Sequence, residues 1–298
     1  MANLKEVRTR IASVDSTMQI TSAMKMVSAS KLRKSQNAIM SLRPYASKLS
    51  EIMQDLSSSL QGSNEGVYAK IHKEHVEDEK ILIIPVASNK GLCGVFNATV
   101  IRETVSFIKE NYQTQFDKGN VDILCVSKKV YETLKFKKYP LLEPMFEILD
   151  NLTYDNTLPF AEQLMNDFVN GKYDRIIFVY NQFKNAGSQI LVKEQFLPIV
   201  NKAETQTERK TKSDVEYIFQ PSKKEILETL VPKSLKLQVF KILLDSFTSE
   251  HGARMVSMTK ATDNASELLK ELNLTYNKAR QTAITNEIIE IVGGANAL

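Results

Sequence analysis

Residues that break helices are missing from both ends of this 298-residue chain, and that absence constrains the fold more than any other feature. The first glycine is Gly62 and the only earlier proline is Pro44. After Pro232 there is no proline, and the only glycines are Gly252, Gly293 and Gly294. Glycine and proline are the residues least compatible with a helix interior, so each end can form one very long helix. At about 1.5 Å per residue the stretch after Pro232 could reach on the order of 100 Å, which no compact domain would cover. Such a helix needs a partner along its length.

Walking the N-terminal segment in steps of three and four gives Leu4, Val7, Ile11, Val14, Met18, Thr21, Lys25, Ser28, Leu32, Ser35, Ile39 and Leu42. The stripe weakens at Lys25 and Ser28, where Ile20, Met24 and Val27 suggest that it drifts around the helix. The C-terminal walk gives Met258, Ala261, Ala265, Leu268, Leu272, Thr275, Ala279, Thr282, Asn286 and Ile289. Small residues in that stripe allow two backbones to approach closely. An antiparallel coiled coil of the two ends is the inferred pairing, and intermolecular pairing satisfies the same periodicity.

The middle has another rhythm. Lys80 to Ala87, Val121 to Ser127 and Asp174 to Asn181 are short continuous apolar runs suited to parallel strands covered on both faces. Helix-like stretches lie between them at Asn97 to Gln115, Lys128 to Lys138 and Asn156 to Asn170. This alternation predicts a central Rossmann-like α/β unit, with Gln189 to Leu197 as an added edge strand. The expected fold class is therefore α/β, a long antiparallel coiled coil plus a central α/β domain. The expected division is a helix over 1–61, the α/β domain over 75–200 and a second helix over 214–298. Gly62 to Glu79 and Asn201 to Ser213 are polar and read as connections.

Composition narrows the function classes. With 43% hydrophobic and 25% charged residues the chain is globular rather than disordered. A net charge of +4 is too small, averaged over the chain, to mark a nucleic-acid binder. Only two cysteines, Cys93 and Cys125, are present, with no ligand-like spacing, so neither a disulfide scaffold nor a zinc ribbon fits and a reducing compartment suits them. No apolar run approaches the roughly 20 residues of a membrane span, and no secretory or transit leader is expected at Met1 to Arg10.

Catalytic motifs are weak. Ser88 to Gly94 (SNKGLCG) could suggest a phosphate-binding turn, but it has neither the G-x-G-x-x-G nor the G-x-x-x-x-G-K-[ST] order, and a tight turn with a positive φ explains it better. Cys93 reads as a small buried residue rather than a nucleophile. His72 and His75 sit in a charged run without metal-site spacing, and His251 stands alone. No catalytic residue, metal or cofactor is expected. Charge is more informative: residues 1–50 hold Lys5, Arg8, Arg10, Lys25, Lys31, Arg33, Lys34, Arg43 and Lys48 against Glu6 and Asp15. That excess suits either a solvated face or a surface complementary to an acidic partner.

Three segments carry a resemblance. Ile20 to Arg33 (ITSAMKMVSASKLR), Gly91 to Asn97 (GLCGVFN) and Ile284, Thr285, Glu287, Glu290, Gly294 and Ala295 near the end occur in the order and spacing of the gamma subunits of bacterial-type F-type ATP synthases. The chain resembles that family over nearly its full length. The resemblance implies a noncatalytic rotor shaft in the head of alpha and beta subunits, one copy per complex. It further implies an α/β foot that binds epsilon and stands on the c-ring, at the cytoplasmic face of a bacterial inner membrane, with no nucleic acid bound. It also implies roles for residues. Lys278, Arg280, Gln281 and Thr285 would face the catch loops of beta, Met24, Lys25, Lys31 and Arg33 would pass its acidic levers, and Ile288, Ile291, Val292 and Ala295 would sit in an apolar sleeve. The cysteine-bearing insert of chloroplast gamma subunits is absent from the pattern. An enzyme built on the α/β domain and a coiled-coil nucleic-acid scaffold are the competing function classes.

Overall fold

The computed structural model describes residues 4–59, 68, 78–199 and 223–295. The connection at Asn201 to Ser213, most of Gly62 to Glu79, and His72 and His75 lie outside the described residues. Contacts divide the chain into two compact units, Lys31–Ala253 and Met1–Ser30 with Arg254–Leu298.

The first of these units is built on a four-stranded sheet. Its strands are β1 (Ile81–Val86), β2 (Val121–Ile123), β3 (Arg175–Asn185) and β4 (Ser188–Leu197), in the order β2-β1-β3-β4. β1 is parallel to β2 and to β3, and β4 returns antiparallel along β3 as the predicted edge strand. Both faces of the sheet are covered, which is why β1 reads as an unbroken apolar run. Successive side chains point to opposite faces. Leu82, Ile84 and Val86 enter one core, and Ile81 and Ile83 enter the other.

Helices α2 (Phe96–Asn111), α3 (Gln113–Asp117) and α4 (Lys128–Phe136) lie in the connections around β2. Phe96, Val100, Ile108, Val130 and Leu134 from α2 and α4 fill the core around Ile81 and Ile83. The opposite core takes Phe160, Leu164 and Phe168 from α5 (Tyr154–Val169). It also takes Leu235, Val239, Ile242 and Leu243, spaced along one face of α6 (Lys223–Ala295). Burying side chains of this size is worth roughly 1.5–3 kcal/mol each. The long C-terminal helix is thus a core helix of the α/β unit over this stretch, a role its sequence periodicity did not announce.

The same unit contains the later part of α1 (Leu4–Ser59), with Leu32, Ser35, Ile39 and Leu49 buried. Neither Pro44 nor Pro232 ends its helix. A proline inside a helix costs about 3 kcal/mol, and burial of Ile39 and Leu49 on either side of Pro44, and of Leu235 just beyond Pro232, offsets that cost locally. Glu194 ties β4 to β3 and α6: the Tyr180 hydroxyl donates to Glu194 Oε2 at 2.6 Å, and Gln238 Nε2 donates to Glu194 Oε1 at 2.8 Å. Gly252 of α6 lies so close to the β3–β4 turn that a Cβ there would stand 3.1 Å from the Ala186 carbonyl oxygen.

In the second unit the early part of α1 and the later part of α6 pair antiparallel, as expected. Thr262 Oγ1 lies 2.9 Å from Thr21 Oγ1, while further out a groove is lined by Arg10, Ser13, Val14, Leu268 and Leu272. Falling numbers on α1 thus meet rising numbers on α6, and Val7, Ser28, Met258 and Ala265 are buried. One expectation fails. The stripe does not drift onto Ile20 and Val27, which are 61% and 58% exposed. It runs straight through half-buried Lys25 and buried Ser28. Small Ser28 turns its hydroxyl back to the Met24 carbonyl at 2.8 Å, so it can be buried without an unmet hydrogen bond.

Candidate functional site

The turn after β1 has the backbone predicted for it. Leu92 and Gly94 have φ of 64° and 63°, the left-handed region that glycine accepts without cost. Its polar groups are engaged by the protein itself. The Ser88 amide donates to Asn97 Oδ1 at 2.9 Å and the Lys90 amide to Ser88 Oγ at 3.1 Å. Asn89 accepts from the Lys128 amide at 3.0 Å and donates to the Phe146 carbonyl at 3.1 Å. Open parallel sheets take ligands beyond the carboxyl ends of strands where the strand order reverses, which here lies between β1 and β3. At that place Ser246 Oγ of α6 donates to the Val86 carbonyl at 3.3 Å, and Asn181 Nδ2 donates to the Phe96 carbonyl at 3.3 Å. Two of the protein's own side chains, both buried, thus bond to backbone carbonyls at that place.

Both cysteines are buried thiols. Burial pushes Cys125 up to about 12, which suppresses the thiolate. His251 is packed edge-on against the Phe247 ring at 4.4 Å.

The surfaces facing outward are more instructive. From Arg280 to Ala295 every residue of α6 is exposed. At 100° per residue, Lys278, Gln281 and Thr285 fall within an arc of about 60°, whereas Arg280 stands roughly 100–160° away from them. These four side chains therefore do not share one face. Ile288, Ile291, Val292 and Ala295 do share one, an arc of about 100° that also includes Ile284, with Glu287 and Glu290 outside it. An exposed apolar stripe of this kind is a candidate binding surface. Ile284 extends the stripe at i−4 from Ile288, a signal visible in the spacing.

Met24 and Lys25 are half-buried in the two-helix unit. Lys31 and Arg33 are exposed in the α/β unit, where Lys31 shares a face with Lys34 and Arg33 points about 130° away from their midline. Arg43 of the N-terminal segment is engaged across the α/β unit. Arg43 donates through Nη2 to the Phe183 carbonyl at 2.9 Å and to Asp245 Oδ1 at 3.3 Å. Asp245 is fully buried, and burial raises its carboxyl against the opposing pull of Arg43 and Lys241. Sequence reasoning missed this pair. Its one signal was an acid three residues after Ile242, on the core-facing stripe.

Residues 3–298 match the family described as ATP synthase. The chain is 52% identical over 298 residues to the ATP synthase gamma chain of Christiangramia forsetii, covering 100% of this chain and 99% of that one. It is 53% identical over 300 residues to the ATP synthase gamma chain of Flavobacterium johnsoniae, with the same coverage. The chain belongs to the ATP synthase gamma-chain family. The resemblance read from the three motifs is thereby established. The fold is shared with a chain in the rotor structure of Euglena gracilis mitochondrial ATP synthase, at a TM-score of 0.62 and 20% identity, covering 94% of this chain and 98% of that one. Among the described residues no helix is long and apolar enough to cross a membrane.

Proposed function

We propose that this chain is the central rotor shaft of an F-type, proton-translocating ATP synthase, coupling rotation of a c-ring to conformational change in catalytic beta subunits. In this reading it carries no active site of its own. It is present once per complex, inside the alpha and beta head, with epsilon and the c-ring at its foot and the cytoplasmic face of a bacterial inner membrane nearby. Segments 1–61 and 214–298 form the shaft and 75–200 the foot. The observation that carries the reading, for a member of this family, is the end of α6. Sixteen consecutive exposed residues with an apolar stripe along one side have no covering among the described residues.

Such a stripe offers few directional bonds, so Ile288, Ile291, Val292 and Ala295 can turn against an apolar sleeve without locking to it. Lys278, Arg280, Gln281 and Thr285 contact the catch loops of beta, and Met24, Lys25, Lys31 and Arg33 pass its acidic levers. Their scatter around the helices suits a rotor, since an asymmetric shaft presents a different face to each of three beta subunits. Each subunit is biased toward a different state, and turning exchanges the assignments.

The test is made in the assembled complex. Replacing Arg280 and Gln281 together with Ala lowers ATP turnover or assembly, and unchanged turnover, pumping and assembly would remove those residues from the contact. Met24→Lys impairs proton pumping more than ATP hydrolysis; equal loss of both contradicts the coupling role.

A further inference from the structure

The α4 corner of the α/β unit carries the most exposed aromatic side chain of the described residues. Phe136, the last residue of the helix, is 88% exposed and stands between Lys135 and the pair Lys137 and Lys138, all exposed. The turn that holds them is firmly built. The Lys137 amide donates to the Thr133 carbonyl at 3.2 Å, the Lys138 amide to Lys135 at 3.0 Å and the Tyr139 amide to Leu134 at 3.2 Å. Lys138 has a φ of 60°, at the place after a helix where glycine is favoured, so the chain keeps a lysine where the backbone prefers none.

Charge on this edge of the unit is divided unevenly. On the same helix Glu132 is taken up by Lys129 at 2.7 Å, and elsewhere in the unit Asp78 pairs with Lys118 at 3.2 Å, Glu79 with Arg175 at 3.2 Å and Asp167 with Lys172 at 3.1 Å. Lys135 leans over the Tyr131 ring at 5.5 Å, and Lys137 and Lys138 have no ion pair among the described residues. The result is an outward aromatic ring framed by three cations that have no ion pair among the described residues.

We propose that the Lys135–Lys138 corner docks on the anionic headgroup surface of a lipid bilayer. Lysine is depleted at protein–protein interfaces, so three lysines around one ring fit a protein partner poorly. Against a bilayer the same composition fits well. The ring enters the headgroup boundary, while the long lysine stems let the ammonium groups stay at the level of the phosphates. The proposal stands apart from the rotor reading, because it concerns the purified full-length chain and lipid alone.

The sequence contains no tryptophan, so Phe136→Trp creates a single indole at the site. With vesicles containing phosphatidylglycerol the emission of F136W shifts to the blue, and the shift is lost as salt is raised. With purely zwitterionic vesicles or with inorganic phosphate there is no shift. Adding Lys137→Ala and Lys138→Ala to F136W weakens the vesicle titration roughly 25-fold, about fivefold per charge. Removing the same charge elsewhere, with Lys109→Ala and Lys270→Ala, leaves it within about twofold on the same scale, which separates the site from general attraction of a basic chain. Absence of a shift, an equal shift on zwitterionic lipid or in phosphate, or equal weakening by the two charge removals overturns the proposal. A shift seen only on assembly with partner subunits also overturns it and assigns the corner to protein. Phe136 and the lysines are exposed, and unchanged thermal unfolding of each variant checks that folding is intact.

Discussion

One helix, α6, has two fates. Between Leu235 and Ser249 it is almost wholly enclosed, with Val239, Ile242, Leu243, Asp245 and Thr248 fully buried in the α/β unit. Between Arg280 and Ala295, in the two-helix unit, nothing is enclosed. Both stretches are apolar enough to be core. The difference is that the first meets a sheet and α5, whereas the second extends where α1, beginning at Leu4, supplies no further partner. The first stretch therefore encodes stability, and the second, in the rotor reading proposed above, encodes complementarity to something outside the chain.

The largest way to break this contrast is paired truncation. Leu243→Ala is expected to destabilise by about 2–5 kcal/mol, through lost burial and a residual cavity. Ile288→Ala is expected to stay within about 0.5 kcal/mol in the isolated chain. Denaturant unfolding checks both, and a large loss at Ile288 would mean that the tip is covered by the chain's own residues.

The second prediction concerns the buried carboxylate. Because burial raises Asp245 above its ordinary value, the folded chain holds that proton more tightly than the unfolded one. The penalty of ionising it is absent below about pH 4 and grows as pH rises from there through the folded value. Removing the Arg43 guanidinium deprives the ionised form of its partner, so Arg43→Ala costs about 1–3 kcal/mol near neutral pH and less in acid. Asp245→Asn removes this downward slope relative to the parent. Urea titrations from pH 4 to 7 read both effects, and identical slopes in parent and Asp245→Asn would refute the assignment.

The smallest effect is a change of sign. Gly252→Ala drives a Cβ to 3.1 Å from the Ala186 carbonyl oxygen and 3.3 Å from its Cα. Those are backbone atoms of a hairpin turn and yield poorly, so the strain outweighs the roughly 1 kcal/mol that alanine contributes to helix propensity. Gly293→Ala meets nothing within 4 Å and stabilises the free helix end by about 0.5–1 kcal/mol. Thermal unfolding of the first and helix content of the second measure the pair; the same sign at both sites would erase the distinction.

Much of the architecture was legible. Lys80 to Ala87 became β1, Gln189 to Leu197 became the edge strand, and the walk from Leu4 to Leu42 names residues that are all buried or half-buried. Periodicity records which side of an element is enclosed, and for these elements one side decides the matter. It misled at Ile20 and Val27, because an apolar residue beside a weak point in a stripe looks like a repair of it. The exposed pair instead lies on an outward face, and buried Ser28 satisfies itself. Of the candidate sites, the apolar spacing of the tip was readable, whereas the separation of Arg280 from Lys278, Gln281 and Thr285 follows only from helix geometry.

By itself the order of residues determined two long helices, the strands between them and the family, because helix breakers, periodicity and motifs act locally along the chain. Tertiary structure alone decided that Arg43 bonds to Asp245, that Ser246 and Asn181 bond to the Val86 and Phe96 carbonyls, and that α6 is core in one stretch and bare in another. Those outcomes depend on which groups, distant in sequence, come within a few ångströms, and enclosure is a property of that neighbourhood rather than of any residue in it.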